Sequence, residues 1–135
     1  MIGKMFRHAD LVERSLDATA LKMEIAAQNI ANNDTPGYDK KRVEFEGELL
    51  RAMNSGNEFQ MKAERGKHFK LSETDPSKVT PRVVADTHYV MRMDDNNVDI
   101  DKEMVDMAKN TIQYNTLIQK INKEFARIKY AVRGT

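Results

Sequence analysis

Residues 100–133 read IDKEMVDMAKNTIQYNTLIQKINKEFARIKYAVR, with neither glycine nor proline. Within them Ile100, Met104, Met107, Thr111, Tyr114, Ile118, Ile121, Phe125, Ile128 and Val132 recur at alternating spacings of 4 and 3. Such alternation puts every one of these side chains on one side of an α-helix and repeats every heptad. Only Thr111 is plainly polar among them. At about 1.5 Å per residue the helix would run about 50 Å. Its charges match its direction: Asp94, Asp95, Asp99, Asp101, Glu103 and Asp106 crowd the start, and Lys120, Lys123, Arg127, Lys129 and Arg133 the end. Acids at the amino end and bases at the carboxyl end complement the helix dipole. Gly134 follows as a stop signal.

The amino-terminal segment carries a second stripe. Val12, Leu16, Ala20, Met23, Ala27 and Ile30 fall at helical spacing, and Ala18, Leu21 and Ile25 form a flanking row. This predicts a helix over 8–32, whose alanines allow a partner helix to approach closely. Asn33-Asp34-Thr35-Pro36-Gly37 ends it. Proline disfavours helical geometry at the residue before it, and Pro-Gly suits the centre of a type II turn, with glycine at positive φ. Asn29, Asn32 and Thr35 near the helix end are expected to cap backbone groups locally, the alternative being bonds to a neighbouring subunit.

Residues 38–98 are different. Glu44–Met53 predicts a short helix, and Gly47 inside it costs roughly 1 kcal/mol relative to alanine. Phe59/Met61 and Phe69/Leu71 hint at short strands in a polar stretch over 54–78. Val79–Ala85 and Tyr89–Met93 are expected to pair as a hairpin, the first as an edge strand because of Pro81. The fold class is therefore mainly α: long terminal helices packed as an antiparallel, coiled-coil-like pair, with a small irregular, β-containing middle. Residues 1–37 and 99–135 make the two parts of the helical core, and 38–98 the middle region.

Ordering nearly sixty helical residues costs about 1–2 kcal/mol each in backbone entropy. Several stripe positions are only alanine, so a lone hairpin of this length is marginal. The row Ala18, Leu21 and Ile25 would also stay wet. Partner helices are expected to complete the core, and the isolated chain to have frayed ends.

Composition narrows the function. The 135 residues carry 22 basic and 21 acidic side chains, a net charge of +1. That is not the basic excess of a nucleic-acid binder. No apolar run approaches the roughly 18 residues of a membrane span, and the amino terminus lacks the apolar stretch of a cleaved signal. With no cysteine, thiolate nucleophiles, disulfides and sulfur-ligated metals are excluded. His8, His68 and His88 are too scattered for a ligand set, and Ser15, Ser55, Ser72 and Ser77 lack a nucleophile context. The run 95–101 superficially resembles a calcium loop. Its sixth position is Ile100 where glycine is needed and its twelfth is Asp106 where glutamate is usual, so a helix cap is the better assignment. No cofactor and no enzymatic role are expected. Met104 and Met107 are seam fillers.

Asn29-Ile30-Ala31-Asn32-Asn33-Asp34-Thr35-Pro36-Gly37-Tyr38 resembles the signature of the flagellar rod, hook and hook-associated axial proteins. It continues through Lys41-Arg42-Val43-Glu44-Phe45 in a way that is similar to the proximal rod members. Asn96-Asn97-Val98-Asp99-Ile100-Asp101-Lys102-Glu103-Met104, then Met107-Ala108-Lys109-Asn110 and Tyr114, resembles their carboxyl-terminal block. Asp95 stands where that block usually has glycine. The two motifs cover both ends and about half the chain.

The resemblance implies a structural subunit of the proximal rod. It would be exported without a cleaved signal by the flagellar type III apparatus and assembled in the periplasm into the torque-transmitting drive shaft. It implies as partners copies of this chain, other rod subunits, the adaptor protein at the rod base, the membrane ring and the export gate. Met5, Phe6 and Leu11 are candidates for recognition at that gate. The expected assembly surface is Leu16, Ala20, Met23, Ala27 and Ile30 with Met104, Met107, Ile118, Ile121, Phe125 and Ile128, and the turn motif is Asn29, Asn32, Thr35, Pro36, Gly37 and Tyr38. Heptads alone would also permit a cytosolic helical adaptor or chaperone that holds a partner helix in its seam.

Overall fold

The computed structural model describes residues 2–55, 75–87 and 93–133. Helix α1 spans Ile2–Ala31, strand β1 Lys41–Glu44 and helix α2 Glu46–Ser55. A 3₁₀ turn at Pro76–Lys78 precedes strand β2, Arg82–Ala85, and helix α3 runs Ile100–Arg133. α3 packs along α1. Asn29, near the end of α1, bonds Glu103, near the start of α3, so the helices run in opposite directions, as the sequence predicts. α1 begins six residues earlier than the sequence stripe predicts.

The strands correct the reading of residues 41–44. β2 pairs antiparallel with β1, matching Lys41 to Ala85 and Glu44 to Arg82. The sequence predicted no strand there, because only Val43 of the four residues is apolar and the stretch looks like a lead-in to the next helix. Most of the expected partner Tyr89–Met93 lies outside the described residues, as do Phe59/Met61, Phe69/Leu71, Ser72, His68 and His88.

The row Ala18, Leu21 and Ile25 is the second correction. It does not stay wet: Ala18 and Ile25 are buried and Leu21 is half-buried. Ala18 joins Phe45, Ala52 and Val79 in the buried apolar cluster, with Leu49 packed against it. Arg14 Nε donates to the Ser77 carbonyl at 3.2 Å, and Lys22 pairs with Glu46. The middle region thus folds back over one flank of α1 while α3 covers another. Small residues at 18 and 52 let α2 come close enough to do this.

The seam of α3 is only partly covered within the chain. The only buried residues of this helix are Glu103 and Glu124, and no apolar side chain of it is buried.

Candidate assembly surface and the asparagine junction behind it

The turn after α1 is held by buried amides. The Asn29 side chain is fully buried. Its Nδ2 donates to the Lys41 carbonyl at 2.8 Å and to Glu103 Oε2 at 3.0 Å. Its Oδ1 accepts from the Lys41 N–H at 3.0 Å and the Tyr38 hydroxyl at 3.2 Å. Two donors and two acceptor positions are all that an amide offers. One side chain therefore ties α1 to the first residue of β1 and to α3.

Asn96 closes the other half. A helix leaves its last carbonyls without partners. The two hydrogens of the Asn96 Nδ2 are shared among the carbonyls of Asn32, Asn33 and Thr35, in the turn just after α1, at 3.0, 2.9 and 2.9 Å. Its Oδ1 accepts the Val98 N–H at 2.8 Å. Asn97 Oδ1 accepts the Lys40 N–H at 2.6 Å, and its amide donates to the Asp86 carbonyl. The Gly37 N–H donates to the Asp94 carbonyl at 2.9 Å, with Gly37 at φ +68° as the turn requires. Asp95 holds φ +59° without being glycine. Asp99 Oδ1 accepts from the Lys102 N–H at 3.2 Å and caps α3.

Glu103 is a dipole acid by sequence but a junction residue by structure. It is 4% exposed. Oε2 takes the Asn29 amide, while Oε1 faces the Lys40 ammonium as a charge pair without hydrogen-bond alignment. Burial, followed by the charge of Glu103, raises the pKa of the Tyr38 hydroxyl above its ordinary 10.0. Of the turn motif, Asn32 and Thr35 act locally: Asn32 Nδ2 donates to the Gln28 carbonyl at 2.8 Å, and the Thr35 hydroxyl to Asn32 Oδ1 at 3.3 Å. Pro36 is exposed and Tyr38 half-buried. Asn96, Asn97 and Lys40 were not among the sequence candidates. Their signal was two adjacent asparagines just before a helix whose first turn already had its acids.

Moving away from the junction, the surface changes character. On α1, Leu16, Met23 and Ile30 are half-buried while Ala20 and Ala27 are exposed. On α3 the seam splits lengthwise. Tyr114, Ile121 and Ile128 are half-buried, and so is Leu117, which lies beside them toward α1. Met104 is 58% exposed, Phe125 56% and Val132 80%. Met107 is also exposed, and Ile118 is half-buried. Val105, Ile112 and Tyr130, off the seam, are more than 60% exposed. The physical reason is that α1 and the middle region together occupy only a narrow sector around α3. Monomers rarely expose contiguous apolar surface of this extent, and such patches mark interaction sites.

An open polar cleft of about 520 Å³ lies between α1, β1 and the start of α3, lined by Lys22, Lys40, Arg42, Lys102, Glu103 and Lys109 among others. Among the described residues no group of three or more His, Asp or Glu side chains is placed to hold a metal ion. No helix of the described residues is long and apolar enough to cross a membrane.

A pair of opposed helices locked at one end and apolar on its outer side is the build of a subunit that other chains complete. A family profile described as "Flagella basal body rod protein" matches residues 13–38, the span from mid-α1 through the asparagine-bearing turn. Curated relatives extend the likeness over nearly the whole chain. The flagellar basal body rod protein FlgB of Bacillus subtilis strain 168 is 36% identical over 123 residues, 91% of each chain. That of Borrelia hermsii is 36% identical over 108 residues, 78% of this chain and 80% of its own. The Escherichia coli K12 protein of the same name is 29% identical over 120 residues, 84% of each. The chain belongs to the FlgB family of flagellar basal body rod proteins. It is a structural subunit of the basal-body rod.

Proposed function

We propose that this subunit does mechanical work alone. It fills one place in the proximal rod, where neighbouring subunits cover the outer side of α3. The single observation that carries this is the exposure of Met104, Val105, Ile112 and Phe125 along a helix otherwise anchored to its own chain. Among the described residues of one copy nothing covers that apolar side, and a head-to-tail contact repeated between subunits builds rings or tubes. Packed interiors resist deformation, which is what a shaft needs to carry torque. The route there is the flagellar type III export apparatus. The adaptor at the rod base, the membrane ring and the export gate are its neighbours after assembly. No catalytic step is assigned to it.

Phe125→Asp tests the role. Phe125 is more than half exposed, so the variant keeps the wild-type helix content by circular dichroism while the cells lose swimming. Ile121→Asp has the same expected outcome in the cell, but Ile121 is half-buried and also loosens the monomer. Normal swimming of a stably produced Phe125→Asp strain would sink the assignment. Fractionation separates it from a cytosolic adaptor or chaperone: a rod subunit purifies with basal bodies, an adaptor stays in the soluble fraction.

A further inference from the structure

The uncovered end of α3 carries a charge as well as an apolar surface. Between residues 120 and 133 it has five cations, Lys120, Lys123, Arg127, Lys129 and Arg133, all exposed, and one acid, the buried Glu124. Arg127 reaches Glu124 at 3.2 Å. Among the described residues the other four have no acidic partner. Phe125, Tyr130 and Val132 stand exposed among them. An occupant of this surface must bring acids and must come close.

This chain has such a surface, and it is also unoccupied. Asp10, Glu13, Asp17, Ala20, Glu24, Ala27 and Ala31 follow one another on α1 at alternating spacings of 3 and 4, and every one is exposed. They form one straight line about 32 Å long at about 1.5 Å per residue. No cation lies on the line. Of the nearby bases on α1, Lys22 is engaged with Glu46, while Arg14 donates to the Ser77 carbonyl and makes a long ion pair, 3.9 Å, with Asp17 of the line itself. Among the described residues Asp10 and Glu13 have no basic partner, and no acid of the line pairs with a cation of α3 in the same chain.

Levels along the pair follow from the Asn29–Glu103 bond at the junction. Because the helices run in opposite directions from there, Lys123, twenty residues beyond Glu103, lies level with Ala9, twenty residues before Asn29. A second copy displaced along the axis by about 12 Å therefore sets Asp17 level with Lys123, Glu13 with Arg127 and Asp10 close to Lys129.

We propose that the basic, apolar last third of α3 docks on the acidic, alanine-bearing outer line of α1 in a second copy of this chain. This deepens the rod assignment above and rests on it. Each copy offers both halves, so the contact is head-to-tail and repeats around the assembly. Opposed charge sets its register and discourages like faces from meeting, while the apolar contacts hold it.

The absence of native cysteine makes the test clean. Cells produce two versions of the full chain together, one with Asp17→Cys and one with Lys123→Cys, and purified basal bodies are oxidised. A disulfide-linked pair of the two versions is expected, at about tenfold or more the yield of the Lys123→Cys chain alone. Chain present in basal bodies with no linked pair overturns the contact. A chain missing from basal bodies overturns instead the rod assignment on which the contact rests. A second arm uses charge reversal. Asp10→Lys/Glu13→Lys/Asp17→Lys and Lys120→Glu/Lys123→Glu/Lys129→Glu are each expected to abolish swimming while retaining helix content. Produced together they offer complementary faces again, and swimming returns. Swimming by either variant alone, or none with both folded variants together, overturns the proposal.

Discussion

The two ends of the helical pair obey opposite rules. At the junction, polar side chains are buried and every one of them is committed inside the chain. Toward the free end of α3, apolar side chains are exposed, and of the five cations around them only Arg127 has an acidic partner among the described residues. A buried amide is tolerable only when its hydrogen bonds are all made, because each unmade one carries its full desolvation penalty. An exposed apolar side chain costs much less, provided something later covers it. The junction is therefore what makes one copy a defined object, and the free end is what makes it part of a larger one.

The comparison breaks most visibly at Lys40. Lys40→Met leaves Glu103, buried beside Asn29, without its cation. Stability is expected to fall by about 3 kcal/mol, measured by urea denaturation. A loss below about 1 kcal/mol would mean that the Asn29 amide alone suffices for Glu103. Asn96→Ala comes next. It removes the amide shared by three carbonyls of the turn after α1, and about 2 kcal/mol is expected to go. Phe125→Asp, by contrast, shifts the same unfolding curve by no more than about 0.5 kcal/mol while removing assembly. Equal losses for the two variants would erase the distinction between a finished end and an unfinished one.

Asp95→Gly sharpens the comparison in the other direction. Asp95 sits at φ +59°, where glycine pays no steric penalty, and a gain of roughly 0.5 kcal/mol is expected at the same midpoint. The smallest effect belongs to Asp75, at the 3₁₀ turn over α1. The Ser77 N–H and then the Ser77 hydroxyl, at 3.0 and 2.8 Å, hold its carboxylate below the ordinary 3.8. With the folded value depressed, its contribution to stability is present above the ordinary carboxylate range and fades as pH falls through the folded value. Carbon-detected NMR titration should find Asp75 ionising at lower pH than in a short peptide. Ser77→Ala should move it part of the way back, since the backbone donor remains.

Both long helices, their opposed directions and the short α2 were legible from periodicity, because a stripe of apolar residues records which face must leave water. The turn was legible from Pro36-Gly37, because few residues reach the backbone angles it uses. Asn29 drew notice only as a capping residue, since a sequence cannot say that Tyr38 of the turn, Lys41 of β1 and Glu103 of α3 converge on it. Glu103 was counted with the solvated acids at the start of α3, and nothing in its neighbours marks it as buried.

By itself, then, the sequence determined that residues 8–31 and 100–133 are helices with apolar sides, since local spacing is a property of the chain. Tertiary structure alone decided which sides are covered. Ala18 and Ile25 go under because α2, β1 and the 3₁₀ turn fold over them. Half the α3 seam stays out because α1 and the middle region fill only part of the circle around that helix. Burial depends on what else arrives at a face, and no periodicity in one segment can report that.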